Sequence, residues 1–113
     1  MENKVHLTPF FLRKAKRLLK KYSTLQQSLL QLEESLLINP RSGDSYGGNV
    51  YKVRLADSSK GKGKSGGFRV ITYVIQETSE GTDIYLITIF DKSEEASISK
   101  YDIREILSSL DLG

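Results

Sequence analysis

Apolar residues recur at helical spacing through two successive stretches, then fall into alternation, and return to helical spacing near the end of the chain. Val5-His6-Leu7 reads as a short opening strand. Thr8-Pro9 marks a helix start, a capping hydroxyl followed by proline at the first helical position, where a missing N–H costs nothing. Phe11, Ala15, Leu18 and Tyr22 then line one side of that helix, with Leu12 and Leu19 widening the stripe. Tyr22-Ser23-Thr24 interrupts it and offers new caps, Ser23 with Gln26 or Thr24 with Gln27, at capping-box spacing. Leu25, Leu29, Leu32 and Leu36 carry a second helix as far as Asn39-Pro40. So short a joint predicts an antiparallel helical hairpin over 8–39.

Arg41 to Asn49 is rich in Gly, Ser and Asp and reads as turn chemistry. From Val50 the period becomes two: Tyr51, Val53 and Leu55 point one way, Lys52 and Arg54 the other. Phe68 to Ile75 is a second strand, apolar on both sides except at Arg69 and Thr72, and therefore central and covered on both faces. Asp83 to Phe90 is a third strand of the same kind. Strands joined this way pair as an antiparallel meander over 50–90. Ser99 caps a last helix over 99–110, with Asp102 three residues on and Ile98 and Ile103 placed as a hydrophobic staple. Ile103, Ile106, Leu107 and Leu110 form its narrow apolar stripe. The expected fold is α+β: an N-terminal helical hairpin packed on a small twisted antiparallel sheet, with a short C-terminal helix. At 113 residues, 1–113 reads as one domain around one core.

Charge changes this picture more than composition does. There are no cysteines, which excludes disulfides and thiol nucleophiles and fits a reducing cytoplasm. The start of the chain has no apolar core of signal-peptide length, and no run approaches a membrane span, so a soluble cytoplasmic protein without a membrane partner is expected. A net charge of +3 says little by itself; its distribution says more. Between Val50 and Arg69 stand Lys52, Arg54, Lys60, Lys62, Lys64 and Arg69 against the single acid Asp57. The first helix carries Arg13, Lys14, Lys16, Arg17, Lys20 and Lys21 and no acid, whereas the stretch from Asp91 onward has six acids against three bases.

Gly63-Lys64-Ser65 mimics the end of a phosphate-binding P-loop. That motif needs a glycine where this chain has Ser58, and it must open a helix, whereas a strand follows here. His6 is the only histidine and cannot form a two-histidine ribonuclease pair. Asp91, Glu94 and Glu95 read as a solvated loop rather than a magnesium site, and no metal or other cofactor is expected. The six bases of the first helix are, on the plain reading, a solvated face. Lys52 and Arg54 are more informative, because they share one strand face and the next strand returns Arg69 near them. Three cations converging on a sheet face repel one another, and a polyanion is their natural ligand. Tyr51 and Tyr22 lie on apolar stripes, while Tyr46, Tyr73 and Tyr101 can reach a nucleic-acid surface.

Taken together, the helical hairpin, the Y-K-V-R-L strand, the lysine-glycine loop, the G-G-F-R-V-I strand, the I-Y-L-I-T-I-F-D-K-S-E strand and the capped final helix resemble the RelE/ParE superfamily of type II toxins. The likeness is nearest to the RelE/HigB-like branch, on the segment R-L-A-D…G-K-G-K-S-G-G-F-R-V-I, and it extends from about Thr8 to Leu110. It implies a RelE-like fold, a ribosome-dependent endoribonuclease that cuts translated mRNA, and a cognate antitoxin protein that covers the toxin. Lys52 and Arg54 fall where such toxins keep two cations, Arg69 matches the arginine opening the next strand, and Lys92 stands near a further cation. The family tyrosine beside the C-terminal helix is replaced by Ser99 or its neighbours, with Tyr101 displaced, and the histidines of some relatives are missing.

RNA is cut without metal when its own 2′-hydroxyl attacks the adjacent phosphate in line. A lysine crowded by other cations gives up its proton more readily. Lys52 is therefore the candidate base, with Arg54 and Arg69 clamping the phosphate and Lys92 aiding the leaving group. Lys60, Lys62, Lys64 and Ser65 of the loop, with Arg13, Lys16, Arg17 and Lys20 of the first helix, are the candidate grip on ribosome and RNA. Two alternatives stay open: a ParE-like poison of DNA gyrase, and a non-catalytic RNA-binding module.

Overall fold

The computed structural model describes residues 3–55, 67–77, 81–91 and 99–109. Strand β1 (Lys4–Leu7) leads into helices α1 (Pro9–Lys21) and α2 (Leu25–Ile38). Strands β2 (Asp44–Gly47), β3 (Val50–Leu55), β4 (Phe68–Glu77) and β5 (Gly81–Asp91) follow, then helix α3 (Lys100–Ser109). The five strands form one sheet in the order β1-β5-β4-β3-β2.

The expected meander is present as β3, β4 and β5, paired antiparallel. Two short strands extend it at the edges. β2 pairs antiparallel with β3 in the stretch read from sequence as turn, and β1 pairs parallel with β5, so the sheet is mixed rather than wholly antiparallel. The direction of β1 follows from its exit. Both the backbone N–H and Oγ1 of Thr8 donate to the carbonyl of Leu86, at 3.3 and 2.8 Å, which carries the chain past β5 and into the helix. Thr8 Oγ1 also accepts from the Phe11 N–H at 3.2 Å, so one buried hydroxyl caps α1 and anchors it to the sheet.

One face of the sheet lies under α1 and α2. Phe11, Ala15 and Leu18 from α1 and Leu25, Leu32 and Leu36 from α2 pack with Val53, Leu55, Phe68, Val70, Val74, Ile84, Leu86 and Ile89. Tyr22 and Tyr51 flank that core, as their apolar positions predicted. Leu12 and Leu19 do not join it. Both are exposed and, with Lys16 and Lys20, line a shallow groove on α1, because only the narrower Phe11-Ala15-Leu18 row meets the sheet. The capping box expected for α2 is also absent: Thr24 holds helical backbone angles (φ −86°, ψ −4°) and its side chain makes no cap hydrogen bond. A cap hydroxyl reaches the free N–H groups only from extended backbone, and here the chain turns tightly as Leu25 N–H donates to the Tyr22 carbonyl at 3.2 Å.

The other face carries a smaller core under α3: Val50, Ile71, Ile87 and Phe90 against Ile103 and Ile106, with Leu107, Tyr46, Tyr73 and Tyr85 partly buried around them. The Ser99 cap of α3 forms as expected, Oγ accepting from the Asp102 N–H at 3.0 Å. Ile98 and Leu110 lie outside the described residues. At the register shift next to Ile71, β4 advances from Ile71 to Thr72 while β5 steps from Thr88 to Leu86, leaving Ile87 as the extra residue of a bulge that buries it. At the far edge His6 Nε2 meets Asp83 Oδ1 at 2.9 Å and its ring stacks on Tyr85, a structural use of the chain's only histidine.

Candidate functional site

Register decides which cations meet. Arg54 is the direct partner of Arg69 and Lys52 of Ile71 across the β3–β4 ladder, and Arg69 in turn faces Phe90 on β5. Directly opposed residues share a face, so Lys52, Arg54 and Arg69 all emerge on the α3 side of the sheet. They differ in access. Arg54 is exposed and Lys52 half-buried, whereas Arg69 keeps only 6% of its surface and donates through Nη1 to the Phe68 carbonyl at 3.2 Å. Lys52 Nζ stands 5.5 Å from the centre of the Tyr46 ring, within cation–π reach.

Backbone geometry holds Lys52 in place from both neighbours. Gly43 adopts φ +103° so close to β3 that a Cβ there would lie 2.5 Å from the Lys52 carbonyl oxygen. The β2–β3 turn then runs through Gly47, Gly48 and Asn49, all at positive φ, and the Asn49 carbonyl accepts from Val74 N–H at 3.0 Å. Arg41 spans the base of this hairpin, donating to Asn49 Oδ1 and to the Tyr51 hydroxyl.

The end of β5 is fixed just as firmly. Asp91 is fully buried and accepts from the Tyr22 hydroxyl at 2.9 Å, while the Tyr22 ring meets Phe68 edge-on at 5.2 Å. Tyr22, the residue that caps the C-terminal end of α1, thus pins the last residue of β5.

Beside the cation row, the β2–β3 hairpin and α3 enclose an open cavity of about 390 Å³. Its floor is Val50, Ile103 and Leu107; Tyr46 and the Gly47-Gly48 turn form one wall, and Lys100 and Arg104, one helical turn apart on α3, form the rim. Among the described residues, no carboxylate forms an ion pair with Lys52, Arg54, Lys100 or Arg104. In the sequence, Lys100 and Arg104 are two of the three bases in a stretch where acids outnumber them. Their i, i+4 spacing shows there, but the direction in which α3 faces does not. Of the tyrosines Tyr46, Tyr73 and Tyr101, it is Tyr46 whose ring Lys52 Nζ approaches.

The remaining candidates divide. Lys60, Lys62, Lys64, Ser65 and Lys92 lie outside the described residues. Arg13, Lys16, Arg17 and Lys20 are exposed on α1, but that helix covers the opposite face of the sheet. They do not converge with Lys52, Arg54 and Arg69. No group of three or more metal-ligating side chains occurs among the described residues, and no helix among them is long and apolar enough to cross a membrane.

A family model described as the RelE toxin of the RelE / RelB toxin–antitoxin system matches residues 3–109 of this chain. Among solved structures, the chain is similar to a mutant of the E. coli toxin RelE in the free state, with a TM-score of 0.57 at 23% sequence identity. The match covers 97% of this chain and 95% of that one, and at such identity it is a likeness of fold.

Proposed function

The chain belongs to the RelE toxin family of toxin–antitoxin systems, and on that footing we propose that it is a ribosome-dependent endoribonuclease acting on translated mRNA in the cytoplasm. The observation that carries this reading is the cross-strand pairing of Arg54 with Arg69, with Lys52 two residues away on the same face. Cationic side chains rooted together on one sheet face suit the oxygens of an RNA phosphate, which accept charge-assisted hydrogen bonds.

In the proposed reaction, Lys52 Nζ is the base that takes the proton of the 2′-hydroxyl as that oxygen attacks the adjacent phosphorus. The bond from phosphorus to the 5′ oxygen breaks, leaving a 2′,3′-cyclic phosphate and a 5′-hydroxyl, with Lys92 supplying the leaving oxygen's proton. Arg54 and Arg69 stabilise the charge that builds on the phosphorane. No metal enters this scheme. Arg69 is largely covered in the free protein, so full engagement requires a local rearrangement on substrate binding, and the ribosome supplies the substrate geometry that the site alone does not impose. The partners are the ribosome with its mRNA and a cognate antitoxin of the RelB kind, which silences the toxin by covering it.

The test is cleavage on programmed ribosomes with mapping of transcript ends. Cuts within translated codons by the wild type, lost in both Lys52→Ala and Arg69→Ala, are expected. Full cleavage by both variants, or DNA damage with transcripts intact, overturns the proposal.

A further inference from the structure

We propose that the cavity between the β2–β3 hairpin and α3 is a nucleotide subsite, holding the base and phosphate of an RNA residue that flanks the scissile linkage. This rests on reading the adjoining cation row as the RNA-cutting face. The cavity has the chemistry a nucleotide needs. Its floor of Val50, Ile103 and Leu107 is apolar and Tyr46 adds an aromatic wall, which together accept the flat surface of a base. Its volume of about 390 Å³ is on the scale of small-molecule sites.

The rim supplies the second half of the recognition. Lys100 and Arg104 project from the same side of α3, and both are exposed, so a phosphate reaches them from solvent without displacing a carboxylate partner among the described residues. On the wall opposite, Gly47 and Gly48 present no side chain, and a Cβ built at either meets nothing within 4 Å, so a nucleotide can lie close against the backbone.

Tyr46 links the two sites. The residue that lines the cavity also takes Lys52 Nζ over its ring, so a base held there continues directly into the proposed cleavage row. The base on Tyr46 would set the register of the strand, and the phosphate on Lys100 and Arg104 its direction. Tyr46, Lys100 and Arg104 are therefore positioning residues in the cleavage reaction, and Lys52, Arg54 and Arg69 remain the groups at the reacting phosphate.

The experiment uses the intact protein and a fluorescent single-stranded RNA hexamer, 2′-O-methylated so that it cannot be cut, with anisotropy followed across a salt series. Lys100→Ala/Arg104→Ala, both on the exposed side of α3, is expected to weaken binding at least tenfold and to lower the salt slope by about 0.7, the worth of the one phosphate they share. Tyr46→Ala is expected to lose about tenfold and Tyr46→Phe to keep wild-type affinity, because stacking needs the ring and not the hydroxyl. On ribosomes the same variants are expected to shift the position of the cuts. Unchanged affinity and unchanged slope in the double variant, with an unaltered thermal melt, overturn the subsite. Loss of antitoxin binding with RNA affinity intact overturns it too, making the cavity a protein-docking site. A wild type that binds the hexamer through these residues yet cuts nothing on ribosomes supports the subsite and defeats only the nuclease reading.

Discussion

Arg54 and Arg69 stand directly opposite one another on β3 and β4, two cationic side chains rooted on one face of the sheet, the first exposed and the second buried. Arg54 is exposed, so its removal costs the fold little. Arg54→Gln is therefore expected to keep the melting temperature within about 2 °C of wild type while lowering cleavage on ribosomes by at least tenfold. A variant that is both less stable and fully active would show that the pair serves the fold and not the chemistry.

The contact between Tyr22 and Asp91 is the reverse case, a polar pair the fold depends on. Asp91 has no exposed surface, and the Tyr22 hydroxyl is one of its donors at 2.9 Å. Tyr22→Phe keeps the ring against Phe68 and removes only that donor, so it should cost about 1–3 kcal/mol. Urea unfolding measures this as a lower midpoint at unchanged slope, and an unmoved midpoint contradicts it.

Two glycines of the hairpin separate backbone strain from steric clash. Gly43 and Gly48 both have positive φ, but a Cβ at Gly43 would meet the Lys52 carbonyl at 2.5 Å, whereas the space around Gly48 is open. Gly48→Ala is expected to cost about 1–2 kcal/mol, the penalty of left-handed backbone alone. Gly43→Ala should cost distinctly more and should impair cleavage as well, because it pushes on the strand that carries Lys52. Equal melting temperatures for the two variants would refute the assignment.

Thr72 offers a gain instead. Its Oγ1 is buried without a hydrogen-bond partner among the described residues. Thr72→Val replaces that hydroxyl with a methyl group among Tyr51, Leu86 and their neighbours. Stability is expected to rise by about 1 kcal/mol, near 5 °C in melting temperature, with activity unchanged. A lower melting temperature would mean that the hydroxyl has a partner after all.

How much of this could be read from sequence depended on the range of the cause. The Thr8-Pro9 start, the Ser99–Asp102 cap and the limits of β3 all follow from neighbours a few residues apart, and each is found where local chemistry put it. Alternation alone set Lys52 and Arg54 on one face. The pairing with Arg69 needed only the next strand and its register. By contrast, β1 owes its pairing to β5 far along the chain, and β2 forms because β3 offers it an edge, although its own residues are those of a turn. Leu12 and Leu19 belong to an apolar stripe that is wider than the contact α1 makes. Lys100 and Arg104 became visible as a site only once α3 was seen lying against the hairpin, since a helix's own sequence does not say which neighbour it will face.

The parallel pairing of β1 with β5 has a consequence for how the protein comes into being. His6 contacts Asp83 across 77 positions of chain, so β1 has nothing to bond to until β5 has been made. Assembly of the sheet is deferred to that point, and a copy halted at β4 presents an unsealed edge.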